Sequence, residues 1–228
     1  IHVENQLSLN GLINMTAGKY LRVGTESRIG NIIRTSGHIN GELQRWISGL
    51  SSFNMPVGTG NYFREVIIRF TEAPTPGILS VIFDTNLPFG DQFYSNLPIN
   101  DGDIIVDNIS DNGVWHVNPV VGLNNGALYN ISFKTQGIDG ITVPEGLRML
   151  KRPSNGSGGW VVPGTHGGIN TINAGDSNYE VSRTGVSGFS VYGLGGSFAQ
   201  NPLPIELLFF GAKLNGNIVE LSWSTASE

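Results

Sequence analysis

Asn125-Gly126-Ala127-Leu128-Tyr129-Asn130-Ile131-Ser132-Phe133-Lys134 joins a tight-turn dipeptide to a run in which apolar and polar residues alternate. Successive side chains of a β-strand point to opposite faces, so Tyr129, Ile131 and Phe133 would share one face. Asn-Gly is strongly favoured in two-residue hairpins, because both central residues of that turn need positive φ. The segment therefore predicts a half-buried antiparallel strand entered through a hairpin.

The same two signals recur along the chain. Its 228 residues include 32 glycines, and charged residues make up only 14%, which suits short strands joined by tight turns. Six Asn-Gly and two Asp-Gly dipeptides predict hairpins at most connections, and no segment favours a helix longer than two turns. Further strands are predicted at 62–70, 78–83, 104–106, 114–117, 147–151 and 179–183. In the first of these, the stem of Arg64 is expected to snorkel from the strand end.

These patterns predict an all-β fold, an antiparallel β-sandwich of the immunoglobulin or jelly-roll kind, over residues 46–200. The loop 87–98 contains Phe89, Phe93 and Tyr94, which are expected to plug one end of the sandwich. Residues 1–45 contain short apolar segments separated by glycines at irregular intervals. We expect strands there that cap or extend the main sheet, with short solenoid-like rungs as the alternative.

A proline hinge separates the last part of the chain, residues 201–228. Pro202 and Pro204 fix φ and remove two backbone donors, which excludes a helix or a central strand at that point. Beyond them, Asn215-Gly216 indicates a hairpin, and apolar residues alternate with polar ones up to Trp223. We expect the first strands of a truncated second β domain here, forming a C-terminal strand extension.

Unpaired strand edges attract other strands, so this extension is expected either to cover its own sandwich or to add to the sheet of a neighbouring copy. The side chains predicted to take part in such assembly and strand pairing are Leu207, Phe209, Val219, Leu221 and Trp223.

The junction resembles that of large surface and secreted proteins exported by the type IX secretion system. The resemblance is carried by Pro202-Leu203-Pro204-Ile205-Glu206-Leu207, a phenylalanine pair, the Asn-Gly turn and Leu221-Ser222-Trp223-Ser224-Thr225-Ala226-Ser227-Glu228. Weaker motifs in the same order as in that family run from about residue 40, and they are strongest after Leu147. The resemblance implies an extracellular or outer cell surface location. In the family, a fibronectin-like domain and a C-terminal sorting domain follow this junction.

Composition excludes several classes of function. The chain has no cysteine, so disulfides and thiolate chemistry are excluded. Its net charge of −5, without a Lys/Arg cluster, argues against a nucleic-acid partner. No apolar run of 18 or more residues is present, so no helical membrane span is expected. Ile1 at the first position indicates a processed or trimmed chain.

One acidic cluster is a candidate metal site. Asp101, Asp103, Asp107 and Asp111 are close in sequence, and hard cations such as calcium prefer oxygen ligands converging on a turn. Ile105 breaks the EF-hand spacing, so we expect no cofactor, with solvated hairpin turns as the default and calcium as the weaker alternative. The four histidines, His2, His38, His116 and His166, lack metal-ligand spacing.

No catalytic motif is present. A nucleophile elbow has the pattern Gly-x-Ser-x-Gly, and Gly185-Val186-Ser187-Gly188 fails it because Phe189 stands where the second glycine is needed. Trp46, Trp115 and Trp160 are candidates for stacking on sugar rings, although each lies in or beside an apolar strand, which favours core packing.

The sequence thus predicts a non-enzymatic exported surface protein: a structural or adhesive β module that assembles by strand addition into an extracellular fibre or layer. Its expected partners are other copies of itself or other surface proteins, with no membrane span and no nucleic acid. The alternative is a carbohydrate-binding accessory module of a larger secreted hydrolase, with glycans as partners. A hydrolase in its own right would need a cleft with two carboxylates or a metal.

Overall fold

The computed structural model describes residues 1–87, 90–123, 126–154, 158–199, 207–216 and 218–225. Every element in these ranges is a β-strand, apart from three single-turn 3₁₀ helices, so the predicted all-β fold is confirmed. None of the helices in these ranges has the length and apolar character that crossing a membrane requires.

The strands are numbered in chain order. The first nine are β1 (His2–Val3), β2 (Gln6–Asn10), β3 (Ile13–Asn14), β4 (Tyr20–Val23), β5 (Asn31–Ser36), β6 (Ile39–Asn40), β7 (Glu42–Ile47), β8 (Ser52–Met55) and β9 (Val57–Thr59). The next nine are β10 (Tyr62–Phe63), β11 (Val66–Phe70), β12 (Gly77–Asp84), β13 (Ile99–Asp101), β14 (Ile104–Val106), β15 (Asn108–Ile109), β16 (Val114–Val121), β17 (Tyr129–Lys134) and β18 (Arg148–Arg152). The last five are β19 (Thr165–Asn173), β20 (Asn178–Val186), β21 (Ser190–Gly196), β22 (Leu207–Asn215) and β23 (Ile218–Thr225). The 3₁₀ helices are Gly90–Gln92, Pro144–Gly146 and Ala174–Asp176.

Two sheets form the sandwich. The larger has eight strands in the order β1-β4-β7-β12-β16-β21-β15, with β18 also paired to β21. The smaller has five strands in the order β19-β20-β17-β11-β8. The predicted strand at Tyr129–Lys134 is β17, which lies at the centre of the five-stranded sheet and pairs antiparallel with β11 and β20.

The main core lies between the inner faces of these sheets and is rich in aromatic rings. Trp115 stacks on Phe133 with ring centroids 4.6 Å apart, and Phe133 contacts Tyr192 at 5.4 Å. The hydroxyls of Tyr129 and Tyr192 lie 2.6 Å apart, and Tyr129 also donates to the Gly188 carbonyl. Burial raises the pKa of both tyrosines, so both stay neutral hydrogen-bonding groups.

A second, smaller core covers the other face of the large sheet at one end. Phe93 and Trp160 meet edge to face there with centroids 5.7 Å apart, and both are buried. Val114 and Val191 belong to this core, whereas their neighbours Trp115 and Tyr192 belong to the main one. Phe93 is buried in this second core and not between the two sheets, so the expectation that loop 87–98 plugs one end of the sandwich is wrong for Phe93. Phe89 lies outside the described residues.

The N-terminal strands form parallel ladders. β1, β4 and β7 pair in one ladder, β2 and β5 in a second, and β3, β6 and β9 in a third. Successive passes of the chain therefore stack as short rungs, and one side of each rung continues the eight-stranded sheet. Both expectations for this region hold, and the rung strands reach Thr59, past the boundary expected at residue 45.

Polar side chains and one buried arginine tie the rungs together. Asn40 donates to Asn14 at 2.9 Å, and Ser36 donates to Asn10 at 2.8 Å between stacked strands. Arg45 donates to the carbonyls of Gly30 at 3.0 Å and Asn54 at 2.9 Å, and burial lowers its pKa to about 10. One continuous hydrophobic core runs from the rungs into the sandwich.

Two local predictions need correction. The segment 62–70 is two strands, because strand pairing is interrupted at Arg64 and Glu65 between β10 and β11. Arg64 does not snorkel: it is 3% exposed, donates to the carbonyls of Gln136 and Gly137, and lies 4.2 Å from the centroid of the Phe83 ring. Backbone acceptors and an aromatic face replace water around this guanidinium, whose pKa burial lowers to about 10.

Candidate interaction surface

The hairpin formed by β22 and β23 carries the largest run of exposed apolar residues among those described. The two strands pair antiparallel, with Phe210 opposite Trp223, Ala212 opposite Leu221 and Leu214 opposite Val219. Because directly opposed residues project to the same side of a sheet, these six form one continuous apolar face. The opposite side carries mainly polar groups and includes the facing charges of Lys213 and Glu220.

This apolar face is open to solvent. Among its large side chains, exposure ranges from 54% at Leu221 to 71% at Leu214. In the described ranges, β22 and β23 pair only with each other, so both outer edges of the hairpin are free. Within the described residues, strand pairing therefore does not join the hairpin to its own sandwich.

The predicted assembly residues divide between the two sides. Val219, Leu221 and Trp223 lie on the apolar face, whereas Phe209 pairs opposite Ser224 next to a bulge and lies on the other side. Leu207 starts β22 and pairs with Thr225. Sequence reasoning missed Phe210, Ala212 and Leu214. The turn could have identified all three. Asn215 and Ile218 are the pair that closes it, so Leu214 faces Val219, and every second residue of each strand from there lies on the same side.

An exposed two-stranded hairpin of this kind needs a partner layer. Two strands alone are marginally stable in water, and a third strand or a second layer on the apolar side is normally required. Free edges also offer unpaired backbone N–H and C=O groups to another strand. The surface can thus form two kinds of contact, by packing through its face and by hydrogen bonding through its edges.

The candidate acidic cluster does not converge on one point. The Asp101 carboxylate pairs with the Arg183 guanidinium and lies 3.3 Å from Arg148 Nε, while Asp107 Oδ1 accepts from the Phe198 amide at 2.6 Å. Asp103 is exposed in the β13–β14 turn, and Asp111 is half-buried before β16. Across the described ranges, no group of three or more His, Cys, Asp or Glu side chains could hold a metal ion.

Asp101 instead belongs to a buried ionic cluster that joins both sheets to the β13–β14 hairpin. Arg183 is 0% exposed and donates to the Met149 carbonyl as well as to Asp101. Arg148 donates to the carbonyls of Glu145 and Leu147. His166 lies beside this cluster, where burial and then the charges of Arg148 and Arg183 lower its pKa, and the nearby Asp101 opposes the shift.

Two candidate sugar-stacking residues are core residues. Trp115 is 1% exposed and donates to the Arg64 carbonyl, and Trp160 is 0% exposed and donates to the Phe93 carbonyl. Neither ring can reach a sugar, so the core-packing interpretation is correct for both. Trp46 is half-buried on the outer face of the large sheet, where it pairs opposite Ile78.

The histidines lie in separate environments. His2 contacts the Gly24 carbonyl, His38 stacks near Phe63, His166 lies beside the ionic cluster, and His116 lies 3.9 Å from Asp84. Burial lowers the pKa of His116 despite that carboxylate, and burial followed by the charge of Arg34 lowers the pKa of His38. The rings of His38, His116 and His166 therefore favour their neutral form at pH 7.

Comparison of the chain with protein-family models, with curated protein sequences and with solved structures found no match.

Proposed function

We propose that this protein is a non-enzymatic structural or adhesive β module of the cell exterior that assembles with other copies of itself through the β22–β23 hairpin. The observation that carries the proposal is the open apolar face of that hairpin between two free strand edges. Water disfavours such a surface, and covering it would be favourable by ~25 cal/mol per Å² of apolar area. The resemblance at the Pro202–Leu207 junction supports the exterior location and export by the type IX system.

A second copy is the occupant that the surface fits best. The face carries no charged side chain, so two identical faces can approach without electrostatic repulsion, and a two-fold contact requires such a self-complementary patch. Two hairpins packed face to face would form a small sandwich, and edge pairing would extend the sheet by strand addition.

The size of the face sets the strength of the contact. At ~3.3 Å per residue and ~4.8 Å between strands, six side chains that each occupy two residues of strand length cover roughly 190 Å² per copy. Face-to-face packing then buries about 400 Å² in total, well below the ~1,200 Å² of stable specific interfaces. We therefore expect weak pairing in dilute solution, which becomes effective where many copies are held close together.

Sedimentation velocity on the full chain tests this proposal. The weight-average sedimentation coefficient of the unmodified protein should rise from that of a monomer as the concentration increases toward ~100 µM and above. Leu221→Ser with Trp223→Ser should remain monomeric over the same range, because it removes apolar contacts from the face.

The matched control removes two apolar side chains from the other side of the hairpin. Phe209 and Ile218 are 55% and 70% exposed, so Phe209→Ser with Ile218→Ser makes a similar chemical change outside the apolar face. This control should associate like the unmodified protein. A monomeric unmodified protein at every concentration, or equal loss in both variants, would count against the proposal.

A further inference from the structure

A cavity of about 270 Å³ lies where the stacked rungs meet the end of β12. Its wall comes from four separate parts of the chain: the turn at 15–19 between the first two rungs, the corner at 40–42, Thr59 at the end of β9, and residues 82–85. The wall is thus shared between the rung region and the sandwich. Residues of β7 and β12 in the eight-stranded sheet line it, and no residue of the β22–β23 hairpin does.

Glu42 is held in place within this wall by hydrogen bonds. Its Oε1 accepts from Gln44 Nε2 and from Ser80 Oγ, both at 2.7 Å. Gln44 is fixed in turn, since its Oε1 accepts from Arg22 Nε at 2.9 Å and from Arg22 Nη2 at 2.6 Å. Glu42 Oε2 has no hydrogen-bond partner in the described part of the chain and remains a free acceptor.

Asp84 and Lys19 complete the polar wall. Asp84 Oδ1 accepts from the backbone N–H of Asn86 at 2.8 Å and from its side chain at 3.0 Å. Its Oδ2 lies 3.9 Å from His116 Nε2, which is too far for a hydrogen bond. Lys19 is exposed at the rim, and its ammonium has no hydrogen bond or ion pair among the described residues.

Apolar and aromatic surface lies beside these polar groups. Met15 and Ile82 line the cavity, and Tyr20 pairs with Glu42 on the neighbouring strand. Tyr20 is 38% exposed, and Arg22 Cζ lies 4.9 Å from the centroid of its ring. The Arg22 guanidinium packs against the ring of Tyr20, which follows the lining residue Lys19 in the chain and is partly open to solvent.

From this arrangement we infer that the cavity binds a neutral, polyhydroxylated ligand, namely one sugar residue of a glycan. Sugar hydroxyls both donate and accept, so they can satisfy the carboxylates of Glu42 and Asp84 together with the Lys19 ammonium. The C–H surface of the ring would pack on Met15, Ile82 or Tyr20. A volume just below the ~300 Å³ at which drug-sized pockets begin suits a single ring. The inference is independent of assembly through the hairpin and would survive its failure.

The test is a backbone amide titration of the full chain by NMR. The probes are D-glucose, D-galactose, D-mannose, L-fucose and N-acetyl-D-glucosamine at millimolar concentration, with an oligosaccharide array run in parallel. At least one sugar should shift the amides of residues around Lys19, Glu42 and Asp84 in a saturable way. Glu42→Gln and Asp84→Asn should each weaken that binding by about tenfold, because a charged acceptor is lost.

Glu26→Gln is the control, because Glu26 is exposed in the turn of the second rung, away from the cavity. It should bind as the unmodified protein does. The inference fails if no sugar of the panel and no glycan of the array binds, or if bound sugar shifts amides elsewhere. It also fails if calcium alone reproduces the shifts while the sugars have no effect, since the cavity would then be a cation site.

Discussion

At the scale of single residues, buried charges distinguish this sandwich from a purely apolar one. Asp101 neutralises Arg183 inside the fold, while Arg45 and Arg64 donate to backbone carbonyls and each keeps one buried nitrogen without a hydrogen bond among the described residues. A buried charge that loses its partner is far more costly than an exposed one. Positions that read as surface charges in the sequence therefore have large structural roles.

Asp101→Asn should destabilise the protein strongly. The substitution leaves Arg183, which is 0% exposed, without its counter-ion, and breaking a buried pair in this way costs ~3–5 kcal/mol. Urea unfolding measures the loss. Asp103→Asn, two residues away in the exposed turn of the same hairpin, is the matched control and should change stability by less than ~0.5 kcal/mol. Equal effects of the two substitutions would contradict the role assigned to Asp101.

Stability should also fall in mild acid because of one buried and two half-buried histidines. The pKa values of His38, His116 and His166 are lowered in the folded protein, chiefly by burial, so the unfolded chain binds more protons once the pH falls below about 6.5. The stability is therefore complete above pH ~6.5 and is lost as the pH falls toward the folded-state pKa values.

The measurement is the urea midpoint between pH 7.5 and pH 5. For His38, the neighbouring charges of Arg34 and Arg64 add to the effect of burial. His38→Asn should make the midpoint less dependent on pH, and replacing all three histidines should flatten it further. An unchanged slope in the triple variant would show that other groups cause the acid sensitivity.

At the scale of elements, strand pairing changes from parallel in the N-terminal rungs to antiparallel in the sandwich, with β7 pairing parallel to β4 and antiparallel to β12. The dipeptides Asn10-Gly11 and Asn40-Gly41, read from the sequence as hairpin turns, are corners between consecutive strands of a rung. Glycine supplies positive φ in both cases, with values of 132° at Gly11 and 135° at Gly41. The local chemistry of a tight turn does not show whether the next strand pairs with the one before it.

Gly37→Ala should test how closely the rungs approach each other. Gly37 has φ of +69°, and a Cβ there would collide with the backbone carbonyl of Gly11 in the rung below. Gly18 has φ of +72° with no atom within 4 Å of an added Cβ, so Gly18→Ala adds backbone strain alone, worth ~1–2 kcal/mol. Gly37→Ala should cost clearly more in urea unfolding. Equal costs would argue against close rung packing at this corner.

Strands with local signals could be predicted from the sequence, and pairings between distant segments could not. Alternation of apolar and polar residues identified β17, a continuous apolar run identified β12, and the Asn112-Gly113 turn indicated the start of β16. The parallel ladders join residues about 18–26 positions apart, such as Ile13 with Ile39 and Ile39 with Val57, and no local pattern encodes that register. The apolar side of the hairpin follows from local pairing around one turn, so it could be predicted from the sequence. The cavity is built from four separate segments, so it could not.

At the scale of the whole molecule, the rungs and the sandwich share one hydrophobic core, and the β22–β23 hairpin presents its apolar face to solvent. These two regions would have different roles. The rungs and the sandwich share a core and carry a polar cavity at their surface, and the hairpin supplies a contact that needs another layer for stability.

Hydrogen–deuterium exchange of the hairpin at low and high protein concentration tests the account most directly. The outward amides of β22 and β23 are unpaired in a single copy, so they should exchange quickly in dilute solution. As copies pair, protection should rise within 207–225, while exchange in the central strands β11 and β17 stays constant. Exchange across 207–225 that does not change with concentration, up to the highest concentration at which the protein stays soluble, would contradict assembly through this hairpin.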